Sequence, residues 1–450
     1  MKMLFLPVIY PFPFVHSKKL LNFAACMRVL IVNTSERNGG AAVAAYRLMQ
    51  ALCNNGVKAK MLVRDRQSDD PRVVALGSPW LQRWRFLWER LTVLFRLHGN
   101  RRHLFAIDTG SMGCDITRTE EFREADVIHL HWVNQGMLSL ADIRKILRSG
   151  KPVVWTMHDI WPATAICHLT LGCHQYLKGC GRCRYLPGGG SEHDLSSAVF
   201  QRKARMLQSG AMTFVACSRW LEGEARNSAL LRGHKVTSIP NTLDTRVFCP
   251  GDRAEARQAE QLPADKRLLL FVCQRANNPY KGMQYLVEAC RLLADEHAEL
   301  REQIGVVVIG GHADEVVAEL PFESFALGYV ADEQRMARIY RAADVFVLPS
   351  LSENLPNTIM ESMACGVPCV GFKVGGIPEE IDHKKNGYVA AYRDSRDLAR
   401  GLYWSLFEAD ATELSHAAVR KVSQHYSQSS VSLRYSELYQ VLIAQKHFKL

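Results

Sequence analysis

The stretch Ser350-Leu351-Ser352-Glu353-Asn354-Leu355-Pro356-Asn357-Thr358-Ile359-Met360-Glu361 follows directly on the apolar run Asp344 to Leu348 and sets two glutamates eight residues apart. The run reads as a buried strand, and Pro356 sits where a first helical turn would begin. Glu353 then falls in the strand-to-helix loop and Glu361 more than a turn into the helix. Free backbone N–H groups near Leu355 form an anion site between them. One carboxylate can address a sugar and the other a ribose, with phosphates between. Two glutamates alone would be ordinary solvated charges on a surface helix, so the rest of the chain decides.

Outward from this stretch, short β-branched runs of buried-strand type recur. A first series is Arg28 to Val32, Lys60 to Val63, Asp126 to Leu130, Pro152 to Met157, Met212 to Ala216 and Lys235 to Ile239; a second is Arg267 to Cys273, Gly305 to Ile309, Ser324 to Leu327, Asp344 to Leu348 and Val367 to Gly371. Helical patterns separate them, and strand–helix alternation run twice predicts an α/β chain with two parallel sheets. The polar stretch Asn241 to Pro263, broken by Pro250-Gly251-Asp252, divides the series. The expected organisation is an extension over 1–26, a first domain over 27–248, a second over 249–425 and a final helix over 426–450. Ligands of such folds sit where the carboxyl ends of the strands face a crevice.

The composition of the 450 residues, 48% hydrophobic and 22% charged, excludes a disordered or low-complexity chain. A net charge of +11 favours anionic partners, and the absence of a helix-turn-helix, RRM or KH signature argues against nucleic acid. The apolar Met1 to Val15 is interrupted by Pro7, Pro11 and Pro13, so it reads poorly as an export signal, and Met27 is an alternative start. No stretch approaches the roughly 20 apolar residues of a membrane span. A cytoplasmic protein, peripheral at the inner face of the cytoplasmic membrane, is the expectation.

Other motifs supply chemistry at the same crevice. Arg275 and Lys281 follow the first strand of the second domain, where two cations suit a departing diphosphate. Asn38-Gly39-Gly40 lies between the first strand and first helix, where glycine lets backbone approach a ligand closely. His158 ends the strand Pro152 to Met157; its neutral imidazole could hydrogen-bond a sugar, although a lone histidine is more often structural. Asp159 beside it reads as an assistant or as a helix cap.

The segment Gly328 to Gly387, with Ala342-Ala343-Asp344, the two-glutamate stretch, Ala364-Cys365-Gly366-Val367-Pro368 and Gly375-Gly376, resembles family 4 retaining glycosyltransferases of the GT-B fold. Asn38-Gly39-Gly40, Thr156-Met157-His158-Asp159, Ser238-Ile239-Pro240-Asn241, Lys281-Gly282 and Val308-Ile309-Gly310-Gly311 extend the likeness over Met27 to about Ile443. It looks most like the colanic-acid type of surface-polysaccharide enzyme. The resemblance implies two Rossmann-like domains facing a central cleft, with the last helix crossing back to the first domain. It implies transfer of a sugar from a nucleotide diphosphate sugar to a glycan or lipid-linked acceptor, with retention and without a cofactor.

In that reading His158, Arg275, Lys281 and Glu353 are catalytic, and Gly39, Gly40, Arg275, Lys281, Glu353, Asn354, Leu355, Pro356 and Glu361 bind the donor. Asn354, Gln274 and Thr242 stand where the family usually has glycine, which puts local loop geometry in question. A GT-B epimerase and a non-catalytic scaffold of the same shape are the alternatives.

Two features fall outside these motifs. Thirteen cysteines include nine that are scattered, several within apolar runs as reduced core residues are, and four clustered as Cys167, Cys173, Cys180 and Cys183. Four close thiols suit a structural zinc, with free thiols and disulfides as the other readings. The segment Trp80 to Arg102 is at once basic and aromatic, which suits an anionic membrane surface or a core-packing helix.

Overall fold

The computed structural model describes residues 27–447. Its strands are β1 Arg28–Ser35, β2 Lys58–Asp65, β3 Val73–Ala75, β4 Val127–Leu130, β5 Val153–Met157, β6 Thr213–Ala216 and β7 Lys235–Ser238 in a first lobe. The second lobe holds β8 Arg267–Arg275, β9 Ile304–Gly311, β10 Glu323–Gly328, β11 Val345–Leu348, β12 Cys369–Phe372 and β13 Gly387–Ala390. The central strands read as unbroken apolar runs because helices cover both faces; β1 buries seven of its eight residues. The sheets run in the orders β3-β2-β1-β4-β5-β6-β7 and β10-β9-β8-β11-β12-β13, parallel throughout. The eleven expected strands are present. The short edge strands β3 and β13 are additional, and β12 starts at Cys369, just after Pro368, which cannot donate to a ladder.

In each sheet the strand order reverses beside the first strand, between β1 and β4 and between β8 and β11. Loops leaving those strands diverge and open a crevice. The chain passes between lobes at two places that pair side by side: Leu243 N–H donates to Tyr426 O at 2.8 Å, and Leu243 bridges Ser427. The last helix, Gln428–His447, then packs on the first lobe, burying Val431, Tyr435 and Tyr439 with Ile31, Met49 and Met61. Tyr435 OH lies 2.9 Å from Thr156 Oγ1, and Tyr439 OH lies 2.6 Å from His129 Nδ1.

Candidate active site

On the second lobe the site begins where two loops close on each other. Lys281 ends a short turn, Pro279–Lys281, and Gly282 follows with φ of 76° at the start of the helix Met283–Glu296. A Cβ on Gly282 would collide with the carbonyl of Pro349, so glycine is what lets the turn seat against the loop after β11. Leu351 N–H donates to Tyr280 O at 2.8 Å, and Lys281 Nζ comes within 2.5 Å of Glu353 Oε1. Burial would lower the Lys281 ammonium, but the Glu353 charge outweighs it and holds the group above its ordinary value. Beneath lie Gly375 and Gly376, where any Cβ would strike the carbonyls of Glu353 and Asn354.

The next residues stitch this loop to the first lobe. Asn354 Nδ2 lies 3.2 Å from His158 O and 3.3 Å from Met157 O, while its Oδ1 accepts from Ser218 Oγ at 2.6 Å. The side chain that glycine would lack therefore helps to bridge the cleft. Leu355 is buried in the second-lobe core, and Pro356 sits at the cap position, so the helix Asn357–Ala364 starts one residue later than its proline suggests. Asn357 Nδ2 donates to Gly40 O at 3.2 Å, which sets Gly39 and Gly40 directly across from the two-glutamate stretch.

Glu361, expected to meet a ribose, is already engaged. Its Oε1 accepts from Arg47 Nη1 at 2.7 Å and its Oε2 from Tyr340 OH at 2.9 Å. Arg47 comes from the first-lobe helix Gly40–Asn54 and also reaches Glu333 at 2.7 Å. A ligand at Glu361 would have to displace that guanidinium. Arg275, expected to act with Lys281, is exposed at the end of β8 and pairs instead with His312, its Nη2 3.3 Å from Nε2; His312 Nδ1 in turn lies 2.6 Å from Glu315 Oε1.

Between the lobes lies a cavity of about 910 Å³ whose lining includes His158, Asp159 and His168 on one side, Glu353 and Asn354 on the other, and the cations Arg102, Arg184 and Arg393. His158 belongs to a row of imidazoles, with His131 Nδ1 2.9 Å from its Nε2 and Cys217 Sγ 3.6 Å from its Nδ1. Burial holds His158 down to about 4 and His129 behind it to about 3, so both are neutral at pH 7. With both ring nitrogens occupied, His158 walls the cavity and offers it no free hydrogen-bonding edge.

The ring that does offer one is His168. Its Nδ1 lies 2.8 Å from Asp159 Oδ2, which also accepts from Trp132 Nε1 at 2.9 Å, while Trp161 N–H donates to Asp159 Oδ1 at 2.8 Å. Burial would raise the Asp159 carboxyl, but His168 and these donors keep it below its ordinary value. Trp132 and Trp161 flank the imidazole at centroid distances of 5.7 and 6.4 Å. Asp159 is thus the positioning carboxylate of His168, whose Nε2 edge is left for the cavity. Sequence reasoning missed His168; its place in the loop that leaves the carboxyl end of β5 was the available signal.

The four clustered cysteines are free thiols lining one small cavity of about 20 Å³ beside Tyr176 and Tyr185. Burial pushes Cys167 up to about 12 and Cys183 to about 11. Among the described residues no group of three or more His, Cys, Asp or Glu stands at metal-ligand spacing. The sulfurs share one cavity. Buried Lys203 fastens the start of the loop, its Nζ 2.6 Å from Trp161 O and 3.0 Å from Thr164 O.

Comparison with known proteins places each lobe separately. Residues 38–247 match Glycosyltransferase Family 4, and residues 266–406 match Glycosyl transferases group 1. A D-inositol 3-phosphate glycosyltransferase of Thermobispora bispora is 30% identical over 225 residues, 47% of this chain and 52% of that one. The chain spans about half the length of the curated relatives it matches. In fold it is similar to sucrose-phosphate synthase of Thermosynechococcus elongatus, with a TM-score of 0.64 and 19% identity, covering 93% of this chain and 100% of that one. It is likewise similar to Anabaena HepE crystallised with UDP and glucose, with a TM-score of 0.59 and 15% identity, covering 92% and 100%.

Proposed function

We propose that this chain, whose lobes match the family 4 and group 1 glycosyltransferase models, moves a sugar from a nucleotide diphosphate donor to a phosphorylated acceptor, with retention. The observation that carries this reading is Glu353, which lines one wall of the interlobe cavity opposite His158 and His168 and holds the Lys281 ammonium behind it. As the bond from the anomeric carbon to the leaving diphosphate oxygen breaks, negative charge grows on that oxygen, and the Lys281 ammonium is already placed to meet it. Glu353 keeps the ammonium oriented and accepts from a sugar hydroxyl. The acceptor oxygen forms the new bond on the face the diphosphate leaves, and its proton passes to the leaving phosphate.

Retention is supported by where the carboxylates are committed. A double displacement needs a free carboxylate against the anomeric carbon. Glu353 is paired with Lys281, and Asp159 is held by His168, Trp132 and Trp161. His168, ionically backed and open to the cavity, orients the acceptor hydroxyl. Arg102 and Arg184 on the first lobe, with Arg393 across from them on the second, give the cavity the charge a phosphate needs. That chemistry suits both an inositol phosphate, the compound for which the relatives are named, and a lipid-linked diphosphate saccharide of surface-polysaccharide assembly.

The test is thermal unfolding in the presence of UDP, GDP, ADP and CMP, on the unmodified protein and on Lys281→Ala. A nucleotide at a hundred times its dissociation constant stabilises the native state by about 2.7 kcal/mol. One nucleotide diphosphate is expected to raise the midpoint, and Lys281→Ala to abolish the rise. If none does so, the transferase reading falls and the scaffold alternative replaces it. If a donor sugar is consumed and isomerised with no acceptor present, the epimerase alternative is correct.

A further inference from the structure

The helix Pro79–Arg96 is built inside out. Its buried side chains are Gln82, Glu89, Arg90 and Val93, three of them polar or charged, while its outward side carries Trp80 at 68% exposure, Trp84 at 48%, Trp88 at 53% and Phe95 at 80%, with exposed Leu87 and Leu91 between. At about 100° per residue these six positions fall within an arc of about 100°. The buried set lies on the opposite side. The helix cannot roll to hide its aromatic face, because its inner contacts fix the rotation. Gln82 Nε2 donates to Leu76 O at 2.7 Å, and Arg90 Nη2 pairs with Asp108 Oδ2 at 2.9 Å in the interior.

We propose that this outward face docks on an anionic lipid bilayer, with the helix lying in the headgroup layer. The charges that border the apolar arc select this occupant over a second copy of the chain. Arg83 flanks one side and Arg85 and Arg96 the other, where their stems can lie along apolar surface while the guanidinium groups reach phosphates. A like-charged copy would bring these arginines against each other. Tryptophan, apolar in body with one N–H donor, is the residue that a bilayer interface favours. No helix among the described residues is long and apolar enough to cross a membrane, so this one lies on the surface.

The face continues into the rest of the molecule at its C-terminal end. A groove of about 1020 Å³ opens there, with Leu91, Leu94, Phe95, Leu186 and Leu195 in its lining, and can take an acyl chain. Immediately beyond the helix, Arg102 and His103 line the interlobe cavity. Docking therefore sets the mouth of the cleft at the headgroup layer, so that a lipid-linked acceptor enters sideways without leaving the bilayer. That last consequence rests on the transferase reading; the docking itself rests on the helix alone.

The test is co-sedimentation of the full chain, without nucleotide or acceptor, with phosphatidylcholine vesicles and with vesicles containing phosphatidylglycerol. Binding to the anionic vesicles is expected, and the variant Trp80→Ser/Trp84→Ser/Trp88→Ser is expected to lose at least about tenfold in affinity. Its circular dichroism and unfolding midpoint should be unchanged, since these side chains face outward. Equal vesicle binding by the variant overturns the proposal. So does a chain that ignores vesicles and instead dimerises in sedimentation velocity until the three tryptophans are replaced. Nucleotide binding, measured without lipid, is decided separately.

Discussion

Replacing Glu89 by Gln should stabilise the protein at neutral pH and lose that advantage in acid. Glu89 is fully buried on the inner face of the helix Pro79–Arg96, beside the carboxylate of Asp108. Burial, followed by the charge of Asp108, pushes its carboxyl far enough above the ordinary 4.5 to keep it protonated at pH 7. In the unfolded chain the same group ionises near 4.5. Because the native pKa is the raised one, its contribution is fully present below 4.5 and is lost as pH climbs toward the native value. At about 1.36 kcal/mol per pH unit, the loss reaches about 3 kcal/mol by pH 7 and is under about 1 kcal/mol at pH 5.

Glutamine has the same shape and is neutral at every pH, so Glu89→Gln removes the loss without emptying the site. Urea unfolding followed by tryptophan fluorescence at pH 5, 7 and 8 should show a gain that grows with pH. A variant no more stable than the parent at pH 7, or equally more stable at pH 5, would refute the placement of this carboxyl inside. The inverted orientation of the helix would fall with it.

Three further outcomes follow from the site. Arg47→Ala leaves Glu361 buried beside Tyr340 without its cation and should cost about 3–5 kcal/mol in urea unfolding, while Arg47→Ala/Glu361→Gln should recover most of it; no recovery would mean the ion pair is not what holds the lobes there. His168→Gln should lower turnover by on the order of a hundredfold and leave the nucleotide-induced rise in midpoint intact; loss of that rise as well would make His168 a structural residue. Metal analysis of purified protein should find well under one zinc per chain, given the spacing and the raised thiols of the cysteine cavity. One zinc per chain, with the loop loosened by chelation, would show that the sulfurs close around an ion when one is supplied.

The sequence exposed most of the fold because a parallel sheet covered on both faces demands unbroken apolar runs, and eleven such runs are easy to see. β3 and β13 escaped because edge strands of three and four residues carry too little of that signal. At the site, Lys281, Glu353 and Asn354 were visible from loop position, and the structure brings them together. Arg47 was not visible: it is one cation in an apolar helix, and its partner Glu361 lies 314 residues away. The helix Pro79–Arg96 shows a different limit. An amphipathic pattern reports that two faces differ in polarity, and only the packing of Gln82, Glu89 and Arg90 reports which face is inside.

The final helix has a consequence for how the protein is made. Tyr435 and Tyr439 complete the interior of the first lobe, meeting Thr156 and His129 across 279 and 310 residues of chain. On a ribosome, the first lobe would therefore emerge with its sheet formed and one flank of its core open. It would stay so while the entire second lobe is synthesised. During that interval Ile31, Met49 and Met61 lack the cover of Tyr435 and Tyr439, and apolar surface left open in this way is prone to non-native association. The same dependence makes truncation within the last helix a lesion of the lobe farthest from it in sequence.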